Sequence, residues 1–334
     1  MKITAFILSF ALMALSGLPA HAAGKPVLTI YTYDAFAADW GPGPKIKAGF
    51  ENVCNCVVEF VASESSIGIL RKIQLEEKNP KADVVLGLDT NIAEIARDTG
   101  LFSDHGADTS RLTLPVAWSD AQFLPFDYGY FAFVYNSEKL PTPPKSFTDI
   151  AATPDNFKII IQDPRSATPG LGLLLWVKQA YPSQAADVWR GMAPKILTVT
   201  KGWSEAYGLF LKGEADMVLS YTTSPAYHII AEDDPRYRAA PFNEGHYMQI
   251  ETGAVLKSSK HQKLAQHFMT FMISDEVQSL IPQSNWMLPV TKLANGLNPV
   301  FEGLHTPKIS LLKSGIEVAK NRKKWIAEWQ DALR

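Results

Sequence analysis

The chain has 334 residues, of which 46% are hydrophobic, 11% aromatic and 20% charged, and its formal net charge is -2. This composition is typical of a globular protein, and the length exceeds what one hydrophobic core usually supports, so we expect two lobes. A nearly neutral charge without dense basic stretches argues against a nucleic-acid-binding protein.

The N-terminal segment has the pattern of a secretory signal peptide. Lys2 supplies a positive end, the apolar run "ITAFILSFALMAL" follows, and Ala20 and Ala22 occupy the small-residue positions of a cleavage site. The apolar run is too short to span a bilayer, and no cysteine lies near the cleavage site to carry a lipid. We therefore expect residues 1–22 to be removed, with cleavage after about Ala22, and the mature chain to be free in an oxidising compartment.

The only two cysteines, Cys54 and Cys56, lie close together in "ENVCNCVVEF". Too few ligands surround them for a metal site, and exported chains usually join such a pair. In an extended strand their Cα atoms would lie about 6.5 Å apart, at the upper edge of disulfide geometry. A local disulfide with a bent backbone is therefore favoured, and two reduced, half-buried thiols are the alternative.

The first third of the chain alternates strands and helices. Strand patterns in "PVLTIYTYDAF", "CVVEFVAS" and residues 83–88 are separated by segments with helical spacing, "PKIKAGFENV" and "IGILRKIQLEEK". This order predicts a mostly parallel sheet flanked by helices, with ligands at the carboxyl ends of the strands. Those ends are residues 31–34, 63–66 and 87–89.

A second unit follows with the same alternation. The aromatic stretch at residues 123–136 is typical of a long strand between lobes, and "HYMQIETGAVL" at 246–256 would return to the first lobe. We therefore predict an α/β clamshell of two mostly parallel sheets flanked by helices, joined by two crossing strands with a cleft between them. The expected first lobe comprises residues 23–134 and 253–334, including amphipathic segments at 259–281 and about 310–333. The second lobe comprises residues 135–252.

Motifs for nucleotide binding and catalysis are not evident. The sequence contains no P-loop, no dinucleotide fingerprint after the first strand and no G-x-S-x-G elbow. The segment "DPRSATPG" precedes an apolar helix, whose free N–H groups near Ser166 and Thr168 suit an anion such as a phosphate. An ordinary capped helix start is the commoner meaning of this pattern. Carboxylates near strand ends would suit a cationic ligand or simply line a solvated rim: Asp34, Asp39, Glu64, Asp89 and Asp163.

Aromatic residues in polar loops give the strongest indication of a binding site. Core aromatics usually sit inside apolar runs, whereas Trp40, Trp203 and Trp286 lie beside Gly, Pro, Ser or Asn. Tyr221 and Tyr227 lie in "DMVLSYTTSPAYH", where an apolar strand opens onto several hydroxyl groups. Such residues are suited to stacking on a flat or cationic ligand, which contributes about 0.5–2 kcal/mol per cation–aromatic contact. Surface packing is the alternative for any one of them.

Several of these segments together resemble the periplasmic thiamine-binding proteins of bacterial ABC importers. The resemblance rests on "VLTIYTYDAFAADWGPGP", "QDPRSATPGLGLLLW", "KGWSEAYGLFLKGEADMVLSYTTSPAYH" and "NWMLPV", and it extends over most of the chain after the signal segment. It implies a type II periplasmic binding protein without enzymatic activity or cofactor. The expected ligands are thiamine, thiamine monophosphate and thiamine diphosphate. The expected partner is a membrane permease with a separate ATPase subunit, and we expect a periplasmic monomer.

The resemblance also implies a set of ligand-binding residues. Aromatic side chains would enclose the rings, namely Tyr33, Trp40, Trp203, Tyr221, Tyr227 and Trp286. Hydroxyl groups of Thr222, Thr223 and Ser224 would give polar contacts, and the helix start at Ala167 and Thr168 would receive the phosphate or hydroxyl end. Two positions depart from the family pattern: Ala167 replaces a hydroxyl residue, and Ser65–Ser66 replace an acidic–glycine pair after Glu64. Both departures affect the expected tail-binding region.

Three other functions are compatible with parts of the pattern. A ferric-iron carrier of the same fold would use paired tyrosines, although Tyr221 and Tyr227 are separated by a proline-containing turn. A polyamine carrier would use the same aromatic and acidic residues. A thiamine-degrading enzyme would need a cysteine thiolate, and the only candidates are Cys54 and Cys56.

Overall fold

The computed structural model describes residues 24–76 and 79–334, so the predicted signal peptide lies outside the described residues. None of the helices in these two ranges is long and apolar enough to cross a membrane. The strands, numbered in chain order, are β1 Val27–Tyr33, β2 Val57–Ser63, β3 Val84–Asp89, β4 Phe102–Ser103, β5 Leu124–Asn136, β6 Ile159–Gln162, β7 Ile196–Thr200, β8 Met217–Tyr221, β9 Tyr237–Ala239, β10 His246–Leu256, β11 Leu288–Pro289 and β12 Ser310–Leu311.

Helices connect the strands throughout the described chain. In chain order they are α1 Asp34–Ala37, α2 Gly43–Cys54, α3 Ser66–Leu75, α4 Ala93–Arg97, α5 Phe147–Ala151, α6 Thr168–Ala180, α7 Ala185–Met192, α8 Trp203–Leu211, α9 Pro225–Ala231, α10 Gln262–Met272, α11 Asp275–Leu280 and α12 Gly315–Ala332. A π-helical turn, Ile281–Asn285, follows α11. Short 3-10 turns lie at Thr109–Arg111, Ala193–Lys195 and Pro299–Gly303.

The strands form two sheet regions in the order β2-β1-β3-β10-β5 and β5-β8-β6-β7. In the first region β1 pairs in parallel with β2 and β3, and in the second β6 pairs in parallel with β7 and β8. The strands β5 and β10 are antiparallel to each other, and they are antiparallel to β8 and β3, respectively. The predicted class, two mostly parallel sheets flanked by helices, is confirmed.

The strands β5 and β10 join the two lobes. The beginning of β5 pairs with β10, whereas its end from Phe131 pairs with β8. Strand β10 pairs through Glu251–Val255 with β3 of the first lobe and through His246 and Tyr247 with β12. These two strands are the predicted crossing strands, and we propose lobe boundaries within them, at residues 134–135 and 252–253.

Buried apolar faces hold the helices against the sheets. All six residues of β3 are buried, as expected for a central strand covered on both faces. On one face of the first lobe, Phe50 of α2 packs edge-to-face on Phe268 of α10 at 5.0 Å. In the second lobe the apolar helix α6 buries Trp176, whose ring lies 4.8 Å from Phe147. These contacts fix the strand ends from which the loops project.

Cys54 and Cys56 form a disulfide, with their Cα atoms 5.2 Å apart. Helix α2 ends at Cys54, Asn55 adopts a left-handed conformation with φ 50°, and β2 begins at Val57. The predicted local disulfide and the predicted bend are thus confirmed. The disulfide lies at the start of β2, whereas the carboxyl end of that strand leads to Glu64.

The C-terminal helix α12 contacts elements of both proposed lobes. The sequence placed about 310–333 in the first lobe, but α12 packs on α6 and α7 of the second lobe as well as on α4 of the first. The contacts with the second lobe include an ion pair between Lys178 and Glu328 at 2.7 Å and an edge-to-face pair of Trp189 and Trp329. The amphipathic pattern predicted a helix but could not identify which elements it would cover.

Candidate functional site

A cavity of about 690 Å³ lies between the two lobes. Residues from both lobes line it, and the loops that follow β1, β2, β6, β7 and β8 all contribute. The prediction that the cleft would form at the carboxyl ends of the parallel strands therefore agrees with the position of this cavity. Its volume is in the range of small-molecule sites.

Most of the residues predicted to bind ligand line this cavity. They are Tyr33, Trp40, Ser65, Ser66, Ala167, Thr168, Trp203, Tyr221, Ser224, Tyr227 and Trp286. Trp40 is the most open of these aromatic residues, with 58% of its surface exposed. Their role in ligand binding is a prediction.

Thr222 and Thr223 are the two predicted residues that do not line the cavity. Both are buried, with 3% of their surface exposed. The backbone N–H of Thr222 donates to the carbonyl oxygen of Tyr130, and the chain then turns into α9. The Ser220 and Ser224 hydroxyls are hydrogen-bonded at 2.7 Å behind this turn. The sequence showed consecutive hydroxyl residues, but the turn directs the two threonines away from the cavity.

The second-lobe wall contains two ordered aromatic groups. The Trp203 ring stacks on Tyr207 with centroids 4.8 Å apart, and its indole N–H donates to Ser220 Oγ at 2.8 Å. Tyr227 projects from α9 and meets Trp286 of the first lobe edge-to-face at 5.4 Å. The Tyr227 hydroxyl donates to Glu232, which also contacts His228 Nδ1. These contacts hold the rings in place before any ligand binds.

Unusual backbone conformations support two of the first-lobe aromatics. Gly87 has φ +92°, and a Cβ at this position would lie only 2.3 Å from the Tyr33 ring. A glycine is therefore required there for Tyr33 to reach the cavity. Trp286 has φ 56°, a left-handed conformation that is rare for a bulky residue, at the end of the π-helical turn. Strain of this kind often occurs at functional sites.

Three helix N-termini line the cavity, and we call them together the helix-start region. Its members are Ser65 and Ser66 at α3, Ala167 and Thr168 at α6, and Gly202 and Trp203 at α8. Neither α6 nor α8 has a side-chain cap. Thr168 Oγ1 lies 3.4 Å from Ser66 Oγ across the cleft. Free N–H groups and helix dipoles make this region suited to an anion.

Three buried carboxylates, Asp89, Glu251 and Asp127, form a second region that we call the acidic row. They lie side by side on β3, β10 and β5, because Glu251 pairs in register with Asp89 on one side and with Asp127 on the other. None has more than 5% of its surface exposed. Glu251 is the member that lines the cavity.

Hydrogen bonds connect the acidic row to two tyrosines of the cavity wall. The Tyr33 hydroxyl donates to Glu251 Oε2 at 2.7 Å. The Gln249 amide donates to Glu251 Oε1 and accepts from the Tyr221 hydroxyl, both at 2.8 Å. Asn285 donates to Asp127 Oδ2 at 2.6 Å. The carboxylates therefore orient the aromatic side chains that face the cavity.

Burial raises the pKa values of the three carboxyl groups in the acidic row. Desolvation and the neighbouring Glu251 raise the pKa of Asp127 well above its ordinary value. Desolvation, with Asp89 adding to it, raises the pKa of Glu251 to about 8. Desolvation also raises the pKa of Asp89 to about 7, against hydrogen bonds from Asn91 that lower it. Buried carboxylates this close cannot all be ionised at neutral pH.

Sequence reasoning did not identify Glu251, Asp127 or Asn285 as site residues. Glu251 and Asp127 lie inside apolar strand patterns, where a carboxylate is rarely buried without a specific reason. That rarity is the signal that could have singled them out. Of the carboxylates noted near strand ends, Asp34 and Glu64 line the cavity. Tyr207, which stacks on Trp203, was also missed because it lies within an apolar helix pattern.

A family model of bacterial extracellular solute-binding proteins matches residues 29–279 of the chain. This match covers most strands and helices of both lobes, whereas the cavity residues Asn285, Trp286 and Met287 lie beyond it. The chain belongs to this family of bacterial extracellular solute-binding proteins.

Similar proteins share a more specific name. The chain is 52% identical to a "Thiamine-binding periplasmic protein" of Escherichia coli (strain K12) over 309 residues, covering 92% of this chain and 94% of that protein. The chain is also 52% identical to the protein of that name from Salmonella typhimurium. This match spans 322 residues and covers 96% of this chain and 97% of the other. A solved "Periplasmic thiamin binding protein" superposes with TM-score 0.91 at 51% identity, covering 95% of this chain and all of the other. The resemblance stated from the sequence is thereby confirmed.

Proposed function

We propose that this protein captures thiamine and its phosphate esters in the cavity between its lobes and delivers them to an ABC importer. Support comes from relatives at about half identity over nearly the whole chain, which carry the name thiamine-binding periplasmic protein. Support also comes from the chemistry of the cavity, because thiamine combines a permanently charged thiazolium with a flat aminopyrimidine.

The observation that carries this proposal is the composition of the cavity wall. Aromatic side chains and three carboxylates, Asp34, Glu64 and Glu251, line it, and the described lining residues include no lysine, arginine or histidine. A flat organic cation gains from both features, since an aromatic face contributes about 0.5–2 kcal/mol to binding a cation. The buried carboxylate adds a complementary charge.

The helix-start region supports binding of the phosphate esters. Thiamine monophosphate and diphosphate carry an anionic tail, and the uncapped N-termini of α6 and α8 offer backbone N–H groups to it. At Ala167 only the backbone can donate, whereas Thr168 and Ser66 add hydroxyl groups. The predicted role of Ala167, Thr168, Ser65 and Ser66 in tail binding remains part of this proposal.

The alternative of a ferric-iron carrier has less support from the site. The Tyr221 hydroxyl donates to Gln249 and the Tyr227 hydroxyl to Glu232, so the two phenols are engaged with different partners. In the described residues, no group of three or more His, Cys, Asp or Glu side chains is arranged to hold a metal ion. Polyamines would use the carboxylates and the aromatic faces, but they have no flat ring to stack and no anionic tail for the helix-start region.

We propose that the protein acts without chemistry on its ligand. A thiamine-degrading enzyme would need a free thiolate beside the ligand. Cys54 and Cys56 are joined in a disulfide, and neither lines the cavity. The protein would act as a monomer in the periplasm after signal-peptide cleavage near Ala22. Its partners would be a membrane permease and the separate ATPase of that importer.

The proposal is tested by titrating purified mature protein with thiamine, its monophosphate and diphosphate, ferric ion and putrescine. Tryptophan fluorescence and calorimetry would follow binding. We expect saturable one-to-one binding of the thiamine compounds and no release of free thiazole when an amine acceptor is added. Saturable binding of ferric ion or putrescine alone would contradict the proposal, and thiazole release would contradict its non-enzymatic part.

A further inference from the structure

Within the described residues, the Asp127–Glu251 pair is the part of the acidic row without a balancing positive charge. The cation that acts on the row in the described structure is Arg322 of α12, which interacts with Asp89. No cationic side chain of the described residues shifts the pKa of Asp127 or of Glu251. Two carboxylates on adjacent strands therefore lie buried without a counter-charge from the part of the chain that the structure describes.

Apart from Asp89, the groups that the described structure packs against the pair from other elements are neutral donors. Tyr33 of β1 donates to Glu251, and Asn285 of the π-helical turn donates to Asp127. Tyr221 of β8 reaches Glu251 through Gln249. Burial and the carboxylates raise the pKa of both tyrosine hydroxyls, so they remain protonated donors. Apart from the pair itself, Asp89 of β3 is the ionisable acid that faces Glu251.

One oxygen of the pair also lacks a hydrogen bond. Asp127 Oδ1 is buried without a partner among the described residues. An ionised carboxylate left with an unpaired, buried oxygen is costly, since removing a charge from water without compensation costs several kcal/mol. A proton on the pair removes both the unbalanced charge and much of this cost.

We propose that the Asp127–Glu251 pair holds one proton in the empty site and releases it to solvent when a cationic ligand enters the cavity, so that Glu251 becomes the ionic partner of the ligand's positive charge. This inference rests on the proposed function, because it requires an organic cation such as thiamine as the ligand. In this step one carboxylic O–H bond breaks. Its proton goes to water or buffer, and the bonding electrons stay on the carboxylate oxygen.

The sign of the resulting pH dependence follows from the linkage between proton and ligand. A nearby cation favours the ionised carboxylate and therefore lowers the pKa of the pair from its raised value, about 8 for Glu251 in the empty site. Between the lowered and the raised pKa values, each ligand bound displaces up to one proton. The affinity for the cation then rises with pH by at most about tenfold per pH unit, and levels off above the raised pKa.

Calorimetry in buffers of different ionisation enthalpy measures the displaced protons directly. We would titrate the mature protein with thiamine at about pH 7.5, where the pair is still largely protonated. Unphosphorylated thiamine is the probe because a phosphate group titrates near pH 6 and would add protons of its own. We expect release of about 0.5–1 proton per thiamine bound.

Two variants and a control assign the proton to the pair. Glu251→Gln should reduce proton release to near zero and flatten the pH dependence of the affinity. Asp127→Asn should reduce proton release only in part, because desolvation and Asp89 still raise the pKa of Glu251. Glu205→Gln should leave proton release unchanged, because Glu205 is an exposed carboxylate on α8 that does not line the cavity. Circular dichroism would verify that each variant folds. If a variant does not fold, proton release by the wild-type protein still tests the inference.

The outcomes separate this inference from the proposed function. Thiamine binding without proton release, or with proton uptake, would overturn the inference and leave the proposed function intact. Proton release that persists undiminished in Glu251→Gln would also overturn it. If the wild-type protein binds no thiamine at any pH from about 6 to 9, the proposed function fails and the inference fails with it.

Discussion

The acidic row reaches the cavity through Glu251, and the helix-start region lines the same cavity with a different electrostatic character. The row is built from buried side chains on crossing and central strands, and it is held in place by strand register. The helix-start region is built from backbone N–H groups at the ends of loops that come from both lobes. One region is negative through buried side-chain carboxylates. The other offers the positive ends of helix dipoles, although Asp34 and Glu64 lie beside the starts of α8 and α3.

This difference indicates what kind of molecule fits. A ligand with only a positive charge would use the acidic row and leave the helix starts to water, whereas a simple anion would do the opposite. A molecule with a cationic ring and an anionic tail uses both regions. The aromatic side chains of Trp203 and Tyr227 would then hold the rings in the cavity.

The largest effect on cation binding is expected from Glu251→Gln. An interaction with a charged group contributes about 1.5–3 kcal/mol, so thiamine should bind about tenfold to a hundredfold more weakly at about pH 9, where wild-type Glu251 is ionised. Calorimetry would measure the dissociation constants, with Glu205→Gln as the matched control. A change of less than about twofold in Glu251→Gln would show that the acidic row does not hold the cation.

Loss of an aromatic face should weaken the binding of thiamine and of its phosphate esters to the same extent. We expect Trp203→Ala and Tyr227→Ala each to raise the dissociation constant at least about tenfold, or about 1.4 kcal/mol. The matched control is Trp118→Ala, which removes a partly exposed tryptophan that does not line the cavity. Unchanged affinity in both cavity variants, measured by fluorescence titration, would contradict the assigned ring site.

A smaller and selective effect is expected at the helix-start region. Thr168→Val removes a hydroxyl but keeps the backbone N–H, so thiamine monophosphate should bind about twofold to tenfold more weakly while thiamine changes by less than about twofold. Thr223→Val is the matched control, because its hydroxyl is buried without a partner in the described structure and lies away from the cavity. If Thr168→Val weakened the binding of thiamine and of its monophosphate equally, the helix-start region would not be the phosphate site.

The smallest effect on binding is expected at the opposite end of β2. Replacing Cys54 and Cys56 by alanine opens a three-residue ring, which should lower the free energy of unfolding by about 1–2 kcal/mol. Affinity for thiamine should stay within about twofold, since the disulfide lies at the start of the strand and the cavity at its carboxyl end. Thermal unfolding and calorimetry would measure the two quantities, and a large loss of affinity would show that the strand transmits the change.

The fold and the aromatic part of the candidate site could be predicted because their signals are local. Strand and helix patterns predicted the boundaries of β10 and the crossing role of β5, and tryptophans in polar loops pointed to the cleft. The acidic row could not be predicted in the same way. Asp89, Asp127 and Glu251 come together only through the pairing of strands distant in sequence, and each lies in or beside an apolar run.

Two further differences have the same origin in tertiary structure. The sequence showed that Thr222 and Thr223 follow a strand end, but a turn into α9 buries them behind the wall. The amphipathic pattern of α12 predicted a helix, whereas its packing on both lobes depends on surfaces built by α4, α6 and α7. Side-chain direction after a turn and the choice of packing partner are not encoded in local periodicity.

A crystal structure of the mature protein with thiamine monophosphate would test the two-region account most directly. The account predicts the phosphate within hydrogen-bond distance of the N–H groups at the starts of α6 and α8, with the charged ring on the side of Glu251 and between the aromatic side chains. A phosphate placed beside Glu251, or a ligand bound outside the inter-lobe cavity, would contradict it.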